Sequence, residues 1–266
     1  MKKLFLTVGL LSTSLIFPIA AISCNNDTRG DSTIDESKTV IKPVDWSKFE
    51  GKYYDGTIVR WADGDTFRFV VTSETDNSMV LRNGKEYSVR ISSIDTPEKN
   101  VQGTQSGEIE FRFANMSSDF GLSQIPVGNA VRIVTDGSRS FERIVGEVFY
   151  DKDGSTGFAY NYSNEIVKAG LTFPNASGIL TNSQFNPNSI EYYTYIPMGY
   201  SFIYAQQQRK GFFNEVSGNT IEERYNAVRN IYKLRGEPNP GYFLATTRNN
   251  VFEFEQELKW TNKKDT

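Results

Sequence analysis

Between Tyr53 and Tyr150 the chain alternates short runs of β-branched and aromatic residues with turn formers. That rhythm predicts a series of short strands. Gly56 to Trp61, Thr66 to Thr72, Lys85 to Ile94, Ala130 to Thr135 and Ile144 to Tyr150 are the five expected strands. Between the third and fourth, Gly107 to Phe120 carries Ile109, Phe113 and Met116 at helical spacing. Five strands with a helix after the third give the order of an OB-fold barrel, an α+β fold that is mainly β.

Outside this region the pattern changes. Lys2 and Lys3 precede an apolar run from Leu4 to Ile22, and the small residues Ala21 and Ser23 lead into Cys24, the order of an export signal. An uncleaved anchor helix is the other reading, disfavoured by Pro18 and the early Ser/Thr cluster. Ala21-Ile22-Ser23-Cys24 resembles the lipobox of bacterial lipoproteins, which implies acylation of Cys24 and a protein held on the outer face of the cell membrane. Cys24 is the chain's single cysteine, so no internal disulfide can form. Residues 1–24 are expected as signal peptide, 25–50 as a polar tether, 51–175 as the catalytic domain, and 176–266 as an insertion and C-terminal extension packing on the barrel.

Composition narrows the chemistry. The 266 residues include no histidine, which removes His-ligated zinc and His-dependent nucleophiles. Catalysis must use Asp, Glu, Lys, Arg, Tyr or a metal held by oxygen. The net charge is -3, and residues 51–175 carry 13 Lys/Arg against 17 Asp/Glu, so a strongly basic nucleic-acid face is not expected.

Two acidic turns stand out: Asp63-Gly64-Asp65-Thr66 between the first two strands, and Ile94-Asp95-Thr96-Pro97-Glu98 after the third. Each alone reads as an Asx-type turn. Joined with Arg90, five residues before Asp95, and Arg143 opening the fifth strand, they make a specific pattern that resembles the staphylococcal nuclease family over about residues 54–173. The resemblance implies that Asp65, Asp95 and the Thr96 carbonyl bind Ca²⁺ and that Glu98 activates or orients the attacking water. By the same resemblance Arg90 and Arg143 hold the scissile phosphate, and Asp63 stands one layer behind the ligands. These residue types suit phosphodiester chemistry. Arginine offers a planar, permanently charged fork for an anionic phosphodiester, and Ca²⁺ accepts loosely arranged oxygen ligands.

The implied activity is Ca²⁺-dependent hydrolysis of DNA and RNA to 3′-phosphate products, with no protein partner implied. The alternative is a weak or inactive nucleic-acid-binding surface lipoprotein. Ser140 and Phe141 do not match the family's Lys and Tyr, and Arg139 competes with Arg143 as the second arginine. A second helix is expected around Ser163 to Leu171, opened by Asn164 or Glu165, and residues 202–213 resemble the family's third helix. The insertion up to Gly199 reads as loop, whose Tyr192, Tyr193 and Tyr195 either pack on the barrel or stack on bases. Residues 219–235 form a capped helix by pattern, and Tyr242 to Leu258 reads as strand-forming.

Overall fold

The computed structural model describes residues 33–73, 81–176, 185–234, 236, 239–245 and 249–256. Cys24 and the export segment lie outside the described residues. Strands Tyr53–Asp63 (β1), Thr66–Val71 (β2) and Glu86–Ile91 (β3) are followed by three two-residue strands, Ile94–Asp95 (β4), Asn100–Val101 (β5) and Thr104–Gln105 (β6). Helix Glu108–Gln124 (α1) leads into Ala130–Val134 (β7), Arg139–Ser140 (β8), Arg143–Tyr150 (β9) and Tyr160–Asn161 (β10). Tyr162–Lys168 (α2), Phe173–Pro174 (β11), Glu191–Gln207 (α3) and Ile221–Arg229 (α4) complete the main elements.

The molecule is α+β around a mostly antiparallel sheet. β1 pairs with β2 and β7, and β2 pairs with β3. The junction is β9, which runs parallel to β3 and antiparallel to β7. A parallel pair needs a long crossover, and here α1 and β7 provide it. The five long strands and the helix after the third thus occur where the hydrophobic pattern places them.

Register explains the core. Phe67 opposes Val89 and Phe69 opposes Tyr87, and Phe67, Phe69, Val71, Val89 and Ile91 are fully buried. Ile133 opposes Val148 across β7 and β9, and both are fully buried. Each such side chain contributes about 1.5–3 kcal/mol by leaving water.

The same core continues beyond residue 175. Phe173 packs against Phe202, Phe212, Tyr225 and Tyr232, and Phe202, Phe212, Phe213, Val228 and Phe252 are buried in one cluster with the strand residues. α4 carries the expected capping box, Thr220 with Glu223, but ends at Arg229 rather than near 235.

Several expectations are corrected. α3 begins at Glu191, inside the stretch expected as loop, and Tyr193 and Tyr195 are buried in it. Pro197 and Gly199 read as helix breakers, yet twelve of its seventeen residues are buried, and tertiary burial overrides propensity. A Cβ on Gly199 would lie 2.6 Å from Val251, so the glycine admits the C-terminal segment. The expected third helix over 202–213 is the end of α3 followed by a separate 3₁₀ turn, Gly211–Asn214. The expected strand from Tyr242 to Leu258 is instead the 3₁₀ turn Gly241–Phe243 and a helical stretch over 251–256, with 246–248, 257 and 258 outside the described residues. α2 is capped by neither Asn164 nor Glu165 but by Asn161, whose side chain accepts from the Asn164 amide. The polar tether expected over 25–50 is packed from Ile34 onward: Glu36–Thr39 and Trp46–Phe49 are 3₁₀ turns, and Ile34, Thr39, Ile41 and Phe49 are buried.

Candidate functional site

The site is built on one face of the sheet and the two acidic turns beside it. Thr66 opposes Arg90 across β2 and β3, and Arg90 opposes Val145 in β9. Arg143, two residues before Val145, has the same strand parity, so Thr66, Arg90 and Arg143 share a face. Phe67 and Val89, one position along, point into the core.

Asp65 is the hub. It is 1% exposed, and its carboxylate accepts from Arg90 Nη1 at 2.9 Å, Thr66 Oγ1 at 2.9 Å and the Thr96 amide at 3.3 Å. Its carbonyl accepts from the Ile91 amide at 2.8 Å. Arg90 reaches a second carboxylate with Nη2, 2.6 Å from Asp95 Oδ1. Burial works against the Arg90 charge, but Asp65, Asp95 and Glu98 outweigh it and the guanidinium is held above its ordinary pKa. Arg143 Nη1 donates to Thr66 Oγ1 at 3.3 Å, which ties the second arginine to the same carboxylate through one hydroxyl.

Asp63 and Glu98 complete the acidic face. Asp63 accepts from the Asp65 amide at 3.3 Å; burial, the Asp65 charge and the Glu98 charge push its carboxyl up to about 7. Like charges drawn this close favour either protonation or a cation. All donors are oxygens, the chemistry a hard cation accepts. Among the described residues no three acidic, His or Cys side chains converge as a protein-only metal cage. Ca²⁺ at this place would use Asp65, Asp95 and the Thr96 carbonyl, with water completing its shell.

The turns are held from outside. A Cβ on Gly64 would lie 2.5 Å from Ser117 Cβ and 2.9 Å from Thr96 Cγ2, so only glycine lets the first turn sit between α1 and the second turn. Tyr162 Oη donates to the Gly64 carbonyl at 2.9 Å. The Asp95 carbonyl accepts from Thr172 Oγ1 at 2.8 Å and Tyr232 Oη at 2.9 Å, and Phe173 of β11 pairs with Asp95. Tyr232 falls within the helix that the pattern predicts over 219–235, and no local feature of the sequence connects it, Thr172 or Tyr162 with the site. Arg139, the competing arginine, is exposed and donates to the Glu142 carbonyl at 3.3 Å within its own hairpin. The structure therefore brings Asp63, Asp65, Arg90, Asp95, Thr96, Glu98 and Arg143 to one place, and leaves Arg139 at its edge.

No helix of the described residues is long and apolar enough to cross a membrane. No family model matches the chain. It is 29% identical over 182 residues to a protein of Mycoplasma genitalium named uncharacterized lipoprotein MG186, covering 66% of each chain. A Mycoplasma pneumoniae homologue of that protein is 30% identical over 99 residues, or 36% of this chain and 32% of the relative. The chain thus spans just under two thirds of one relative and about a third of the other, and its similarity is to bacterial lipoproteins.

Proposed function

We propose that this chain is a Ca²⁺-dependent phosphodiester hydrolase acting on DNA and RNA, leaving 3′-phosphate ends, and held outside the cell by lipid on Cys24. The observation that carries the reading is the buried Asp65 carboxylate bridged by Arg90 to Asp95 and by Thr66 to Arg143. Two carboxylates and two guanidiniums on one face match the residues that the staphylococcal nuclease resemblance names. The circuit of pairings from β1 through β2, β3, β9 and β7 back to β1 is read as the five-stranded OB-fold barrel. The lipobox-like residues before Cys24, with the lipoprotein names of the relatives, support the anchor.

The division of labour follows from charge. A phosphodiester repels an attacking oxygen, and its transition state gathers negative charge on the equatorial oxygens. Arg90, fixed by two carboxylates, retains further N–H donors for phosphate, and Arg143 supplies a second fork. Glu98, half-buried beside these groups, accepts the proton of the attacking water. Bound Ca²⁺ supplies electrostatic stabilisation and lowers the barrier to ionising water.

Protein lacking residues 1–24 is incubated with plasmid and with RNA in Ca²⁺, in Mg²⁺ and in EGTA. Cleavage of both in Ca²⁺ alone is expected, because the resemblance implies a Ca²⁺ site and Ca²⁺ accepts two Asp side chains, a carbonyl and waters in loose geometry, whereas Mg²⁺ demands a near-ideal octahedron. Full cleavage in EGTA would overturn the metal assignment, and binding without cleavage would leave the binding-module alternative.

A further inference from the structure

The chain joins the folded body at Ile34, which is buried and whose amide donates to Gln207 Oε1 at 2.8 Å, at the end of α3. Cys24, the residue expected to carry lipid, lies ten residues earlier, a span of at most about 35 Å. A compact body of this size is about 45 Å across. The side of the molecule around Ile34 is therefore the side that a lipid on Cys24 holds toward the bilayer.

That side repeats one pairing. Residues 34–42 run antiparallel along α3, with Ile34 at Gln207, Lys38 Nζ 4.9 Å from the centre of the Tyr200 ring and Lys42 Nζ 4.2 Å from that of Tyr192. One turn beyond Tyr200, the Tyr204 ring has Lys168 Nζ at 5.5 Å and Lys210 Nζ at 4.9 Å. Arg209, exposed, follows the end of α3. Between Lys38 and Lys42, Val40 is 63% exposed and leaves its branched apolar side chain in water. The carboxylates on this side are Asp35, which accepts from the Ser37 amide, Glu36, paired with Lys168 at 2.8 Å, and Glu255, which accepts from Tyr200 Oη. The named cations outnumber the carboxylates here, on a chain whose net charge is -3.

Lysine and tyrosine suit a headgroup layer. The lysine stem lies on apolar surface while its ammonium stays in water, a tyrosine ring rests where water meets hydrocarbon, and each cation near an anionic bilayer contributes about 1 kcal/mol. We propose that this side of the molecule, residues 34–42 with the outer face of α3, Lys168 and Lys210, docks on anionic phospholipid headgroups. The proposal rests on the anchor at Cys24 and not on the nuclease chemistry. A nucleic-acid strand is another polyanion that lysines could meet, but it gives no reason for Val40 to stand out or for this side to adjoin the route to Cys24. Docking gives the anchored protein one orientation. Tyr162, the first residue of α2, touches the Gly64 turn, and Lys168, its last, is on the docking side. The two stand about 10 Å apart along the helix, so the bilayer is met by lysines and not by the acidic turn.

Protein beginning at Cys24 is coupled through that thiol, the chain's single one, to a maleimide lipid in vesicles of phosphatidylcholine, with or without phosphatidylglycerol. Brief acetylation followed by mass spectrometry reads each lysine. With phosphatidylglycerol present, Lys38, Lys42 and Lys210 are expected to react about five-fold more slowly than on phosphatidylcholine alone, Lys85 at the same rate on both, and the difference to vanish in molar salt. Lys38→Gln, Lys42→Gln and Lys210→Gln combined should melt close to the parent and abolish the protection of Lys168. Equal rates on both vesicles would overturn the proposal. So would protection that grows with protein density on phosphatidylcholine alone, which would assign the face to a second copy, or protection by an oligonucleotide without vesicles, which would assign it to substrate. Because the maleimide bond imposes the anchor, failure of the face leaves the anchor reading standing. That reading is tested by detergent partition of the full-length protein against Cys24→Ser: equal partition would remove it, and the docking face with it.

Discussion

Asp65 shows how little a charge is worth apart from its surroundings. Alone in a turn it would cap a backbone amide; buried beneath Arg90, Thr66 and Thr96, it becomes the fixed point from which two arginines are aimed. The two candidates for the second arginine differ in attachment: Arg143 is tied to the carboxylate through Thr66, whereas Arg139 bonds the backbone of its own hairpin. Arg143→Ala and Glu98→Gln are each expected to lower kcat on the order of 10²- to 10³-fold, the scale of a lost electrostatic contact in a transition state, with melting temperature unchanged. Arg143→Lys should not restore the rate, because an ammonium cannot present a bidentate fork. Arg139→Ala should leave kcat near the parental value. Steady-state kinetics with thermal melts decide the matter, and a severe loss in Arg139→Ala with none in Arg143→Ala would reverse the assignment of the second arginine. The carboxylates and arginines were legible because their motifs are local, each within a turn or at a strand end. Thr172, Tyr162 and Tyr232 were not, since nothing along the chain says that their hydroxyls meet the carbonyls of Gly64 and Asp95.

The first acidic turn is as much a packing element as a chemical one. Asp63-Gly64-Asp65-Thr66 closes β1 onto β2 while its glycine lies against Ser117 of α1 and Thr96 of the second turn. Gly64→Ala is therefore expected to cost about 1–3 kcal/mol, as overpacking does, and to displace Asp65 from Arg90 so that activity falls with stability. Gly157→Ala is the control, since a Cβ there meets nothing within 4 Å. Denaturant unfolding of both variants checks this: equal midpoints for Gly64→Ala and the parent would mean that the turn has room to spare. Strand positions were readable from period-two alternation, and α1 and α4 from helical spacing and caps. α3 was not, because Pro197 and Gly199 oppose helix locally and the burial that outweighs them comes from residues distant along the chain, Val251 and Phe252 among them.

At the scale of the whole molecule, one core joins pieces that the sequence separates. Asn164 of α2 donates to the Thr39 carbonyl at 2.6 Å and accepts from Ser201 Oγ at 2.9 Å, linking the N-terminal segment, α2 and α3. Arg132, paired with Asp55, lies under Trp46, Tyr53 and Phe158, so the segment before β1 closes an aromatic layer over the sheet. A fragment of residues 51–175 would expose Phe149, Phe158 and Phe173 and would leave the Asp95 carbonyl its bond from Thr172 but not that from Tyr232. It is expected to lack fixed tertiary packing by near-ultraviolet circular dichroism, whereas residues 33–256 should show a cooperative melt. A native-like melt of the shorter fragment would show that the surrounding segments are dispensable. By itself the sequence determined the five strands, α1, the capping box of α4 and the acidic and basic residues of the site, because alternation, helical spacing and turn chemistry act over a few residues and leave their mark locally. Only the tertiary structure decided where the N-terminal segment and α3 pack and which hydroxyls brace the acidic turns. Those outcomes depend on contacts between distant residues, whose free energies exceed local preference only once the chain has closed.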